Sequence, residues 1–358
     1  MTPKQRVYAA MQHIQPDRAP LFYRDVPEVE QRLCKDLGLA DREALLRYLD
    51  IDFRWVEPEY VGPSLFDEEA GTRRSIWGVN YRYLKLEQGA YWEPVRFSLA
   101  DQSDPAALED YPWPSLDWYD FSDLGRQVAA YADYAIMTAP GEASPGVLVI
   151  MQDLLGMERA LTESIVNRPF FDRLVEKIME FRVPFIKKMV TACNGGLDFF
   201  RLGDDFGTQR SLLMSINQWR DAFAPPLYEM AKTAKECGAR YYYHHTCGAI
   251  RPLIPDMIDI GVDVLDPLQI HAVGMDPAGL KADFGDKLVF SGGIDEQHVL
   301  PHGTPDEVRK EVRRICDIMA VGGGYFVGST HNFQDDIPTA NILAMYEAAR
   351  EWKADRLF

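Results

Sequence analysis

From about residue 130 onward, short apolar runs alternate with amphipathic stretches, and this alternation limits the fold more than any other feature of the chain. The runs are "YAIMTA" or "GVLVIMQ", then "GLDFFRLGDD", "ARYYYHHTCG", "VDVLDPLQ", "KLVFSGGID" and "GYFVGSTHN". Between them lie segments with helical periodicity, such as "QWRDAFAPPLYEMAKTAKECG" and "TPDEVRKEVRRICDIMAVGGG". Strands alternating with helices imply βαβ units around a parallel sheet. Six such strands, with two earlier ones at "PLFYR" and "DIDFRWVEPEYV", make eight, so the expected fold is α/β, a closed (β/α)8 TIM barrel. An open doubly wound sheet is the rival, but no GxGxxG follows an early strand and no P-loop occurs.

The rest of the chain is read as additions to that barrel. Thr2, Pro3 and Gln5 form a capping box that starts a helix ending near "QPDRAP". Residues 72 to 97 alternate aromatic and polar residues around "EQGA", which is hairpin patterning. The Pro-, Asp- and Ser-rich stretch after it reads as a surface excursion. We expect a single barrel domain over residues 1–358, with N-terminal helical and β-hairpin additions and an inserted excursion at about 72–130.

A chain of 358 residues buries a large core unaided, so a metal here would serve chemistry rather than hold the fold. The formal charge of −17 argues against nucleic acid and anionic membrane surfaces as partners. Cys34, Cys193, Cys237, Cys247 and Cys316 are odd in number, scattered, and form no CxxC pair. The first residues lack the apolar core of a signal peptide, and no stretch reaches membrane-spanning length. The expectation is a cytoplasmic protein, with monomer and homodimer both open.

Most of the later strands finish in polar groups: Asp204 and Asp205, His245 and Cys247, Asp266 and Gln269, Asp295, then His331 and Asn332. In a barrel the C-terminal strand ends share one mouth, where catalytic groups gather. Aspartates at such positions also cap the following helices. For Asp204 and Asp205 the roles in play are orienting a ligand histidine, supplying a metal ligand, accepting a proton, or capping. Arg24, Gln209, Asp266 and Asn332 are candidates to hold a substrate. Gly292 and Gly293 could form an anion-binding nest or turn the chain, while "GGG" at 322–324 precedes a strand and is structural.

His245 and Cys247 are two residues apart, so on an extended strand they face the same side and could grip one ion. A core cysteine beside a strand-end histidine is the competing explanation of that spacing. His331, after the last strand, opens onto the same mouth. A His-Cys-His set with one vacant position is a catalytic zinc arrangement rather than a closed structural one. His244 should face the opposite side in a packing or supporting role. His271, His298 and His302 sit in polar loop sequence and are expected to be surface histidines.

Several blocks carry a family resemblance: "TPKQRVYAAMQHIQPDRAP", "GDDFGTQ", "HHTCGAIRPLIPDMIDIGVDVLDPLQ", "GMDPAGLKADFGDKLVFSGGID" and "GGGYFVGSTHNFQDDIPTANILAMYEAA". Through them the chain resembles the uroporphyrinogen decarboxylase superfamily, whose fold is a (β/α)8 barrel. That superfamily also contains zinc-dependent methyltransferases that exchange methyl groups between corrinoid cofactors and thiols or other acceptors. The true decarboxylases need no metal and hold an acidic tetrapyrrole with an N-terminal "RQAGR"-like loop. Here "FYRDVPEVEQ" stands in its place, and only Arg24 corresponds.

The methyltransferase branch carries a His-x-Cys after the fifth strand and a cysteine after the eighth. His245 and Cys247 match the pair, and the third position falls on His331, a departure from the pattern. One thiolate with two neutral imidazoles leaves zinc more positive than two thiolates would, and hence a stronger Lewis acid. The resemblance therefore implies a Zn2+-dependent methyltransferase acting on a small O-methyl or thiol substrate. The corrinoid (cobalamin) would arrive on a separate partner protein, because no corrinoid-binding module is visible. A decarboxylating lyase acting on a small acid and a non-catalytic ligand-binding barrel are the alternatives.

Overall fold

The computed structural model describes residues 1–67, 71–86, 89–141 and 144–354. Seven strands form one sheet in sequence order, each parallel to its neighbour. They are β1 (Phe53–Val56), β2 (Ala135–Thr138), β3 (Phe199–Gly203), β4 (Tyr241–His245), β5 (Val264–Asp266), β6 (Val289–Ile294) and β7 (Tyr325–Ser329).

The seam between β7 and β1 is filled by residues 20–24. Phe22 N donates to Val327 O at 2.8 Å, Val327 N to Pro20 O at 2.8 Å, and Asp52 N to Leu21 O at 3.1 Å. "PLFYR" is thus the eighth member of the barrel wall. Inside, Phe22, Phe53, Phe199, Tyr243, Val264, Val289 and Phe326 form one buried cluster with residues of every strand. Ring pairs cross the interior, Phe22 to Tyr243 at 5.6 Å and Phe199 to Phe326 at 6.1 Å. Burying each phenylalanine stabilises by about 1.5–3 kcal/mol, so closing the wall around these rings is strongly favoured.

Helix Pro3–Met11 seals the N-terminal end of the barrel, with Val7, Ala10 and Met11 in that same cluster. Its capping box forms as expected, with Gln5 N on Thr2 Oγ1 at 3.2 Å and Thr2 N on Gln5 Oε1 at 3.0 Å. The opposite end is left open as the mouth.

One pair of strand alternatives is resolved and one strand assignment changes. "GVLVIMQ" is not a strand but lies in helix Val147–Leu155, and "YAIMTA" supplies β2. A short apolar run suits either element, and here the Asp204 carboxylate caps the helix by accepting Leu148 N and Val149 N at 3.2 and 2.8 Å. "DIDFRWVEPEYV" splits near Pro58: β1 stays in the barrel, while Glu59–Tyr60 pairs antiparallel with Tyr119–Asp120 outside it.

The hairpin patterning corresponds to a four-stranded antiparallel sheet, Phe66–Asp67, Thr72–Arg74, Asn80–Leu86 and Gly89–Arg96. Glu87 and Gln88 of the expected "EQGA" turn lie outside the described residues. Among the described residues no helix is long and apolar enough to cross a membrane.

The closing segment is tied down by Asp52, which is fully buried. Its carboxylate meets Arg6 Nη1 and Arg18 Nη1, each at 2.6 Å, and accepts Leu21 N at 2.7 Å. Removing one partner of such a buried pair strands the others. We expect Asp52→Ala to cost about 3 kcal/mol, read as a lowered urea midpoint. A midpoint within about 0.5 kcal/mol of the parent would show that this tie is dispensable.

Candidate metal centre

The mouth of the barrel brings His245, Cys247 and His331 together. One donor atom from each lies within 4.8 Å of the other two. Cys247 Sγ is 3.7 Å from His245 Nε2, and the His245 and His331 rings are 5.8 Å apart between centroids. Zinc bound at about 2.0–2.3 Å from nitrogen and sulfur would span such separations with little movement.

Each donor is positioned by its surroundings. His245 is the last residue of β4. Cys247 is fixed through its backbone N–H, which donates to Asp205 Oδ1 at 2.7 Å. The chain then turns at Gly248, whose φ is +93° and where a Cβ would sit 2.5 Å from the Gly207 backbone, so only glycine fits. His331 follows β7, with Ser329 Oγ bonded to its carbonyl.

His245 Nδ1 lies 2.6 Å from Asp266 Oδ2, and Arg24 Nη1 reaches that same oxygen at 2.5 Å. Nδ1–H donating to the carboxylate leaves the Nε2 lone pair facing Cys247 and His331. Burial opposes the charge on Asp266, yet Arg24 and His245 hold its carboxyl well below the usual carboxylate range. Burial, with Arg24 beside it, pushes the His331 imidazole down to about 4, and burial likewise lowers His245. Both rings are therefore neutral and competent as ligands. Burial and then Asp205 push the Cys247 thiol up, so this sulfur ionises only against a cation. The donor set fits zinc.

The other candidates divide. Asp205 orients Cys247, whereas Asp204 is buried with both carboxylate oxygens on helix N–H groups, which is the capping role. Asp266 was expected to hold substrate, but it is fully buried behind His245 and bonds that ring instead. Gly292 and Gly293 are not an anion nest. They lie within β6, where a Cβ on Gly292 would stand 2.9 Å from Ser329 O and one on Gly293 3.3 Å from Leu268, leaving no room for a ligand. Gln209 is an exposed rim residue bonded to Gln269 at 3.3 Å.

Arg24 and Asn332 border a cavity of about 530 Å³ that also touches Trp55, Arg42 and Tyr131. A smaller cavity of about 220 Å³ lies against His245, Asp204, Asp205 and Arg201. His244 faces away, as its neighbouring position requires. It stacks on Phe206 at 6.2 Å and meets Tyr242 Oη at 2.7 Å. His302 is exposed on helix Val299–His302. His271 and His298 are exposed too, but both converge on Asp295.

Two residues escaped sequence reasoning. Arg201 is buried in β3, with Nη1 on Ser144 Oγ at 2.7 Å and Nε without a partner among the described residues. An arginine inside the apolar run "FFRLG" was the signal that could have found it. Glu296 accepts the His331 backbone N–H, keeps Oε2 unpartnered among the described residues, and is pushed by burial up to about 8. Nothing in "GGIDEQ" marks it.

A parallel barrel sealed at one end carries, at the other, a thiol and two imidazoles whose donor atoms converge. The family model described as uroporphyrinogen decarboxylase (URO-D) matches residues 147–352, and the chain belongs to that family. A uroporphyrinogen decarboxylase from Pseudoalteromonas translucida (strain TAC 125) is 25% identical over 155 residues, 40% of this chain and 42% of that protein. The match thus spans less than half of that relative's length. Among solved structures, a methyltransferase from Methanosarcina mazei superposes with a TM-score of 0.64 at 16% identity, covering 98% of this chain and 99% of that one. That likeness establishes a shared fold.

The buried His244 makes stability depend on pH. Burial pushes its imidazole from 6.5 down to about 3, so the folded value lies below the unfolded one. Its contribution is whole above about 6.5 and is lost as pH falls toward about 3, at up to about 1.4 kcal/mol per unit. Urea titrations across that range should show this slope, and His244→Gln should flatten it. An equal slope in the variant would assign the acid sensitivity elsewhere.

Proposed function

We propose that the protein is a zinc-dependent methyltransferase that moves a methyl group between a small O-methyl substrate and a corrinoid carried by a separate protein. The convergence of His245 Nε2, Cys247 Sγ and a His331 ring nitrogen beside two cavities carries this reading. These three would hold zinc, which when bound supplies a Lewis acid for the substrate oxygen. With one thiolate and two neutral imidazoles the centre stays positive, which suits an ether or alcohol oxygen better than a thiol acceptor.

The chain's own groups do the positioning. Asp266 and Arg24 lock the His245 ring, and Asp205 sets Cys247. Trp55, Arg24 and Asn332 line the space for the substrate. A reduced, cobalt(I) corrinoid on the partner would supply the electron pair that takes up the methyl, while the ether C–O pair stays on oxygen and gains a proton from solvent, leaving the alcohol. All five cysteines are free, which accords with a cytoplasmic setting.

A metal-free decarboxylation of a small acid is the second reading. It is favoured by Arg24 and Arg201, buried guanidinium groups that each keep an unpartnered nitrogen among the described residues.

Metal analysis separates the two. Tag-free protein should retain about one zinc per chain through gel filtration, and His245→Ala or His331→Ala should release it. Methyl transfer from a panel of methyl ethers to a reduced corrinoid protein should vanish in the same variants. Zinc-free protein that decarboxylates, or transfer that survives both substitutions, overturns the proposal. Asp266→Ala should weaken zinc binding by about 10–100-fold while leaving all three ligands in place.

A further inference from the structure

We infer that the barrel mouth holds a second cation site, formed by His271, Asp295 and His298, for a divalent transition metal of the zinc class. His271 comes from the loop after β5, and Asp295 and His298 from the loop after β6. His271 Nε2 lies 3.1 Å and His298 Nδ1 3.2 Å from the same oxygen, Asp295 Oδ2. A donor atom from each residue is within 4.8 Å of the other two, and the rings stand 5.3 Å apart at 79°.

Asp295 is the built element of this site. It is 1% exposed, with Oδ1 on Gln297 N at 2.9 Å and Oδ2 on Val299 N at 3.3 Å, so its carboxylate has one orientation. The two histidines are exposed, with side chains 52% and 70% accessible. Free surface rings gain rotamer entropy by staying in water. Here both leave that freedom to face one oxygen that already accepts a backbone N–H. One oxygen serving three donors is crowded. A single cation shared by the two imidazoles and the carboxylate satisfies all of them at the same separations.

Two imidazoles and one carboxylate suit zinc, cobalt, nickel or iron(II), whereas calcium and magnesium prefer oxygen alone. Three protein ligands leave the outer positions to solvent. A bound cation would staple the loop after β5 to the loop after β6. This bears on the first centre through Gln269, in the β5 loop, whose Oε1 accepts the N–H of Gly248 next to Cys247.

Cobalt(II) tests the inference, because only a thiolate ligand gives a sulfur-to-cobalt charge-transfer band. Tag-free parent protein, His271→Ala/His298→Ala and Cys247→Ala are compared by equilibrium dialysis and absorption. The parent should bind two classes of cobalt, one with the band and one without. The double histidine variant should lose the class without the band and keep the other, and Cys247→Ala should do the reverse. Single His298→Ala, with its thermal midpoint as a folding control, should also lose the bandless class. Cobalt binding that is unchanged in the double variant, or a parent with no bandless class, overturns the site. Loss of the bandless class in the histidine variants is read whether or not the first centre binds metal or transfers methyl groups.

Discussion

Arg24, Asp266 and His245 form the contact on which the rest of the mouth depends. Arg24 ends the segment that closes the barrel wall, Asp266 ends β5 and His245 ends β4. The guanidinium keeps a fully buried carboxylate ionised, and the carboxylate sets the tautomer of the ring. Buried charges of this kind are costly to separate, so the pair is as much a constraint on strand registration as on chemistry. A barrel left open at the β7–β1 seam would carry no arginine to this position, and His245 would lose its orientation.

The strand geometry divides labour between adjacent residues. Successive side chains on β4 point to opposite faces. Tyr243 enters the barrel core and His245 opens onto the mouth, while His244 stacks on Phe206 on the other face and bonds Tyr242, which lies in the outer core. A one-residue slip would exchange the mouth-facing histidine for the packing one. The aromatic interior opposes that slip, because it would expel Tyr243 from the rings it contacts.

Much of this was legible locally. The capping box at Thr2, the extended wall segment at residues 20–24 and the shared face of His245 and Cys247 are all short-range consequences of spacing. "GVLVIMQ" was ambiguous because a fully buried helix and a buried strand present the same apolar run, and the deciding cap, Asp204, lies far along the chain. Gly292 and Gly293 looked like a loop motif but sit inside β6, packed against Ser329 O and the Leu268 side chain respectively. Asp266 looked like a rim group, and only its complete burial reveals it as a support for His245. Glu296 and the pairing of His271 with His298 left no local mark at all.

The amino-acid order alone determined the alternation of strands and helices, and which residues of each strand share a side. Both follow from torsional periodicity between near neighbours. Which strand ends meet was decided by the tertiary structure: Arg24 stands 221 residues from His245, yet their nitrogens lie 3.0 Å apart. Contact across such separations follows from closing the wall around its aromatic core, a property of the whole chain that no window of sequence contains.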